Sequence, residues 1–249
     1  MPAPSPSPRP LVVAIDGPSG SGKSTVSREV ALRLGLEYLD TGAMYRAVCW
    51  SCLDVGIDLI DTAAVAAHAR AIRLQLGTDP AAPAVAVGGR DVTTLIRETR
   101  ISEAVSTVAT NLEVRAELRE RQRALIAAAR RGPRAGCVAE GRDITTVVAP
   151  DADVRVLLTA SERTRLRRRA LEVHGNDDEA TLTATRDEVL RRDADDSTVA
   201  SFLVAADGVV AVDTSRLSLE EAVQAVLSAV VAAGAGLRIE GERAGAVRP

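Results

Sequence analysis

Short unbroken apolar runs alternate with longer amphipathic stretches along this chain, and the two patterns recur in a regular order. Leu11-Val12-Val13-Ala14-Ile15 is an apolar run that ends in glycines, the signature of a parallel strand covered on both faces. From Ser24 to about Leu34 the apolar positions return at helical spacing, and Gly35 closes the segment as a C′ glycine. A brief strand, Glu37 to Leu39, leads into a helix that opens at Thr41-Gly42. Residues 57–100 differ in character. A helix over Thr62–Ile72 is followed by alternating stretches at Ile72–Leu76 and Ala84–Val87, with turns at Asp79-Pro80 and Gly88-Gly89. This segment reads as an insertion. Helices are expected over Ser102–Asn111 and Glu113–Arg130, and Gly132-Pro133 ends the second. Core strands are expected at Cys137-Val138-Ala139 and Val154–Leu158. The densely charged stretch 161–196 predicts two helices joined at Gly175-Asn176, with a small core of their own. Val209–Val212 closes the sheet and Ser218–Val231 forms the last helix. This alternation predicts an α/β fold, a doubly wound parallel five-stranded sheet with its sites at the strand C-termini.

Composition narrows the function classes. Of 249 residues 46% are apolar and only 2% aromatic, so the core must be built from aliphatic side chains. A net charge of −3 gives no global field to attract nucleic acid or an anionic membrane. Three cysteines make no disulfide framework; Cys49 and Cys52 share a helical face, Cys137 falls in a strand, and all three read as core residues. His68 and His174 stand apart from any metal-ligand partner. Residues 1–10 carry proline at every even position and lack the apolar core of a signal peptide, so they read as a disordered Pro/Ser tail. Residues 233–249 read as a second, flexible tail, leaving 11–232 as the folded core. The apolar stretch Ala222–Leu237 is interrupted by Gln224, Ser228 and two glycines, and fits an amphipathic helix better than a membrane span. These features predict a cytoplasmic monomer with neither nucleic acid nor membrane as a partner.

Among 31 basic residues there is a single lysine, Lys23, and it lies in the run Gly17-Pro18-Ser19-Gly20-Ser21-Gly22-Lys23-Ser24-Thr25. A guanidinium is a broad planar fork, whereas an ammonium is a point charge that fits inside a tight loop. The spacing G-x-x-x-x-G-K-S between a strand and a helix is that of a phosphate-binding loop. Its backbone N–H groups cradle phosphates, its lysine reaches the outer ones, and its serine binds magnesium.

Three further pieces fall just after predicted strands, at the same sheet edge. They are Asp40-Thr41-Gly42-Ala43-Met44-Tyr45-Arg46, Glu140-Gly141-Arg142-Asp143, and the arginine-rich segment after Leu158. A hydroxyl, a tyrosine and an arginine around a helix N-terminus suit a second phosphate, distinct from the one held by Lys23. Together the four pieces predict a site for two phosphorylated ligands.

The motifs GPSGSGKST, DTGAMYR, VGGRDVTTLIR, AEGRDITTVVAPDADVRVLLTA and the R-x-x-R-R of Arg165–Arg169 occur in the order and spacing of bacterial cytidylate kinases, and the chain resembles that family from about Val12 to Val231. The resemblance implies a P-loop kinase core with a monophosphate-binding insertion at 57–100 and a helical lid at 161–196. It implies transfer of the γ-phosphate of ATP, with Mg2+, to CMP or dCMP. By the same resemblance Gly17 to Thr25, Arg165 and Arg169 would hold ATP. Thr41, Tyr45, Arg46 and Arg142 would hold the CMP phosphate, Ser106, Arg115 and Asp143 would read cytosine, and Arg192 and Asp196 would approach from the lid. Lys23, Arg46, Arg142 and Arg192 would share the charge of transfer, Ser24 would ligate the metal, and Glu140 would act on it through water. The chain departs from the family pattern at Val199, where an arginine is expected. Two rival readings are a small-metabolite kinase with Asp40 or Asp143 as base, and a non-catalytic nucleotide-binding regulator.

Overall fold

The computed structural model describes residues 10–234, so the expected tails at 1–10 and 233–249 lie almost wholly outside the described residues. Within that range the strands and helices run in the order β1 (Leu11–Asp16), α1 (Lys23–Leu34), β2 (Glu37–Asp40), α2 (Thr41–Asp54), α3 (Thr62–Ala71), β3 (Leu74–Gly77), β4 (Ala84–Val87) and β5 (Arg90–Asp91). They continue with α4 (Thr99–Ala109), α5 (Leu112–Arg131), β6 (Gly136–Gly141), β7 (Val154–Thr159), α6 (Glu162–His174), α7 (Glu179–Ser197), β8 (Val210–Asp213) and α8 (Leu219–Ala232). Five strands form one parallel sheet in the order β2-β6-β1-β7-β8, as the alternation predicts.

The period of two along β1 explains its double burial. Leu11, Val13 and Ile15 face α1 and α8, joining Val26, Val30, Val223 and Val226 in one cluster. Val12 and Ala14 face the other way, against Ile126 and Ala129 of α5 and Ile144 beyond β6. All six residues of β1 and all six of β6 are buried, so neither strand could alternate with polar residues. A capping box at Ser218 and Glu221 starts α8, and the left-handed Gly35 ends α1.

A third cluster ties the expected insertion to its neighbours. The antiparallel sheet β3-β4-β5 and α3 contribute Val65, Ala69, Val85 and Val92, which pack on Met44, Val48 and Trp50 of α2 and on Ile101 and Val105 of α4. Segment 57–100 is too short to cover its own apolar faces, so its core continues into α2, α4 and α5. Cys49 and Cys52 are buried here and Cys137 in the sheet; burial pushes the thiols of Cys49 and Cys137 up to about 12, and they act as small hydrophobes. No helix among the described residues is long and apolar enough to cross a membrane.

Two local elements differ from the sequence reading. Helix α4 starts at Thr99 after a 3-10 turn at Leu95–Arg97, three residues ahead of the expected Ser102. The β-branched run Ile144–Val148 is a single π-type turn. Its first amides need an acceptor that no local residue supplies, and Asp16 at the end of β1 provides it. The Ile144 amide donates to Oδ1 at 3.0 Å, and the Thr145 amide and hydroxyl donate to Oδ2 at 2.8 and 2.6 Å. Burial holds the Asp16 carboxyl above its usual range, and those bonds from Thr145 and Ile144 oppose the shift. The Asp16→Ala variant leaves three buried donors without an acceptor and should lose about 3 kcal/mol of unfolding free energy. Urea denaturation of the variant beside the native protein measures that loss.

Candidate active site

The phosphate-binding loop turns on left-handed glycines. Gly22 has φ 88° and caps α1, and Gly20 has φ 74°. A Cβ on Gly20 would lie 2.4 Å from the Arg165 carbonyl oxygen, so glycine alone lets α6 approach the loop this closely. Lys23 is the first residue of α1, and its Nζ donates to the Pro18 carbonyl at 3.4 Å. Burial pushes its pKa down to about 8, Arg142 adds to the shift, and Glu140 opposes it.

An open cleft of about 400 Å³ runs from this loop across the ends of β2 and β6. Asp40 caps α2 by accepting the Ala43 amide at 2.8 Å, and its Oδ2 accepts from Arg46 at 2.9 Å with Arg97 at 3.6 Å. Burial works against the Asp40 charge, but Arg46, Arg97, the Ala43 amide and Lys23 outweigh it and hold the carboxyl below its usual range. Thr41 donates its hydroxyl to the Glu140 carbonyl at 2.7 Å, which joins α2 to β6. Tyr38 donates to Glu140 Oε1 at 2.5 Å, and Glu140 Oε2 is buried with no partner among the described residues. Burial and Asp40 raise the Glu140 carboxyl, while Lys23, Tyr38 and Ser24 pull it down.

Helices α6 and α7 meet this edge through two carboxylates of α7, Asp193 and Asp196. Asp193 Oδ1 accepts from the Ser19 amide at 3.2 Å and from Arg142 at 2.9 Å, and Oδ2 accepts from Arg165. Arg165 in turn donates to the Ser19 carbonyl at 3.0 Å. Arg168 donates to the Ser21 carbonyl at 3.2 Å and to the Thr214 carbonyl at 2.8 Å. Arg142 also pairs with Asp196 at 2.8 Å and lies over the ring of Phe202 at 4.3 Å, a cation–π contact. Arg192 reaches Asp196 at 3.9 Å; burial and the charges of Arg142 and Arg46 push its pKa down to about 10. Beyond them, Asp143 pairs with Arg115 at 2.7 Å and Arg119 at 2.9 Å.

Most of the residues expected from sequence line the cleft together: Ser19 to Thr25, Thr41, Tyr45, Arg46, Arg115, Glu140, Arg142, Asp143, Arg169, Arg192 and Asp196. Four do not. Arg165 turns to Asp193 and the loop carbonyl, so it supports the loop from behind, and Arg168 lines the cleft instead. Ser106 is buried one turn along α4 while Val105 and Ala109 form the wall. Gly17 and Pro18 lie below the loop, Gly17 against the Leu158 carbonyl and Pro18 under Lys23. Arg191, beside Arg192 on α7, is exposed. Sequence reasoning missed Asp193, Arg119, Arg97 and Phe202. Helical spacing could have found two of them, since Asp193 shares a face with Asp196 and Arg119 one with Arg115. The Asp193→Ala variant takes from Arg165 its carboxylate partner and from Arg142 one of two, and should cost about 3 kcal/mol locally. Hydrogen exchange should then accelerate in 17–22 and in α6 while β6 amides keep their protection.

Comparison with known proteins agrees with this geometry. The family model described as cytidylate kinase matches residues 13–232. A cytidylate kinase of Streptomyces avermitilis is 46% identical over 221 residues, covering 88% of this chain and 92% of the relative. Relatives of the same description from Cutibacterium acnes and Nocardia farcinica are 46% and 47% identical, over 89% and 90% of this chain and 96% and 94% of their own length. With the phosphate loop, the arginine-lined cleft and this match in agreement, the chain belongs to the cytidylate kinase family.

Proposed function

We propose that the protein transfers the γ-phosphate of ATP to CMP or dCMP, giving CDP or dCDP. One observation carries the reading: a single cleft joins the Lys23 loop to a second cationic end formed by Arg46, Arg142 and Arg192, with the carboxylate of Asp143 beyond it. Two phosphates that repel each other can meet only where positive charge lies on both sides of the transfer path. Lys23 and the loop amides would hold the ATP phosphates, with Arg169 near the same end. Thr41, Tyr45, Arg46 and Arg142 would hold the acceptor phosphate, and Arg192 and Asp196 would close on it from α7. The acceptor is itself a phosphate with a second pKa near ~6, mostly dianionic at neutral pH, so no general base is required.

The residues present also fit magnesium. Glu140 Oε2 is buried without a partner among the described residues, and Ser24 helps to pull the same carboxyl down. Ser24 would hold the ion directly and Glu140 through water. When bound, magnesium would neutralise charge on the transferring phosphates.

The hydroxyl-acceptor alternative needs a free carboxylate as base. Asp40 is engaged through both oxygens, by Arg46, Arg97 and the Ala43 amide, and Asp143 is held between Arg115 and Arg119. The chemistry of cytosine suits the far end of the cleft, because its N4 amino group donates and its O2 and N3 accept. An arginine and a carboxylate, Arg115 and Asp143, can read it by polarity. Uracil presents a carbonyl in place of the amino group, and a buried mismatch of that kind costs several kcal/mol. We further infer a cytoplasmic monomer that acts on nucleotides, with neither nucleic acid nor membrane as a partner.

An ADP-release assay across CMP, dCMP, UMP and AMP tests the assignment: CMP and dCMP should lead and UMP should trail. A clear lead for AMP or UMP overturns it. The pH profile tests the role of Lys23. With its pKa lowered to about 8, the free protein loses this ammonium as pH rises through that value. Bound polyphosphate favours the charged form and moves the loss upward. Hence kcat/KM for ATP should fall above about pH 8 while kcat persists to higher pH. A kcat/KM for ATP that stays flat to about pH 10 would overturn this lowering of the Lys23 pKa.

A further inference from the structure

Asp143 uses its two carboxylate oxygens unequally. Oδ2 accepts from Arg115 Nη2 at 2.7 Å, from Arg119 Nε at 3.1 Å and from Arg119 Nη2 at 2.9 Å. Oδ1 accepts from no described residue, although Asp143 lines the cleft. An oxygen with three N–H donors has no lone pair left for a ligand, so whatever Asp143 reads must meet Oδ1.

The two arginines hold the carboxylate in different ways. Arg115 is buried, its Nη1 is tied to the Ala109 carbonyl at 3.0 Å, and its guanidinium lies 5.8 Å from the Tyr45 ring centre. With that nitrogen committed, it offers Asp143 one N–H. Arg119 stands one helical turn further along α5 with a side chain 25% exposed, and it offers two. A carboxylate held by a single donor can pivot about it. Donors arriving from two directions set its plane. Arg119 is not among the residues lining the cleft, so any influence it has on a ligand passes through Asp143.

We propose that Arg119 is a positioning residue that sets the preference for CMP over UMP by fixing Asp143 with Oδ1 toward the base. The inference rests on the reading above in which Asp143 meets the amino group of cytosine. An ionised carboxylate only accepts, so a fixed Oδ1 bonds the cytosine amino group and repels the carbonyl that uracil carries there. Without Arg119 the carboxylate turns about the Arg115 contact. The bond to cytosine weakens and the repulsion of uracil eases.

The test compares native protein, Arg119→Leu and Arg119→Lys in kcat/KM for CMP and UMP, KM for ATP and thermal midpoint. Leucine is a good helix former and keeps the aliphatic cover of α5. In Arg119→Leu the CMP-to-UMP ratio should narrow about tenfold, the range of one charge-assisted hydrogen bond, mainly through a higher KM for CMP, with KM for ATP unchanged. Arg119→Lys keeps one charge and should fall between the two; it carries the test alone if the leucine variant does not fold. An unchanged ratio in the variants overturns the proposal, as does an equal loss toward CMP, UMP and ATP, which marks a purely structural residue. A native protein without preference for CMP overturns the substrate reading itself and this inference with it.

Discussion

A lysine and several arginines can share one cleft only if carboxylates stand between them, and this requirement organises the ends of β2 and β6 and the last turns of α7. Asp40 stands against Arg46 and Arg97, Asp193 against Arg142 and Arg165, Asp196 against Arg142 and Arg192, and Asp143 against Arg115 and Arg119. The compensation is incomplete, because burial together with Arg142 and Arg46 still pushes Arg192 down to about 10. A buried excess of positive charge is costly in an otherwise apolar domain, and anionic ligands relieve it. The sheet bears that cost at its C-terminal edge and nowhere in its core.

Segment 161–196 takes part in the same charge arrangement. Its dense charge suggests a unit with a small core of its own, and its base is bonded to the phosphate loop, through Arg165 to the Ser19 carbonyl, Arg168 to the Ser21 carbonyl, and Asp193 to the Ser19 amide. Both backbone polar groups of Ser19 are thereby held by residues of α6 and α7. Motion of α7 about Asp193 would disturb the loop on one side and Arg142 on the other. Asp193 therefore ties the loop that carries Lys23 to Arg142.

Much of this was legible in the sequence where the signal is local. Apolar runs such as Leu11–Ile15, the glycine spacing before Lys23, and Asp40-Thr41 at a helix start each declare themselves within a few residues. What escaped depends on partners far along the chain. The turn at 144–148 exists because Asp16, more than a hundred residues earlier, accepts its amides. The resemblance offers Arg165 as an ATP ligand, yet Asp193 in the next helix captures it. Phe202 holds Arg142 by ring contact in a segment whose sequence carries no periodic pattern. Lone side chains aimed across the fold leave no mark on their neighbours in sequence.

The solitary lysine has a chemical consequence of its own. With every other basic side chain an arginine, the chain has one side-chain primary amine, and at a pKa of about 8 part of it is uncharged and nucleophilic in mildly alkaline solution. Aldehydes and acylating agents react with such amines and leave guanidinium groups largely alone. A protein rich in lysine spreads that damage over its surface. Here no surface lysine competes with the one in the phosphate loop, so a single adduct on a side chain is enough to strike the seat of the nucleotide.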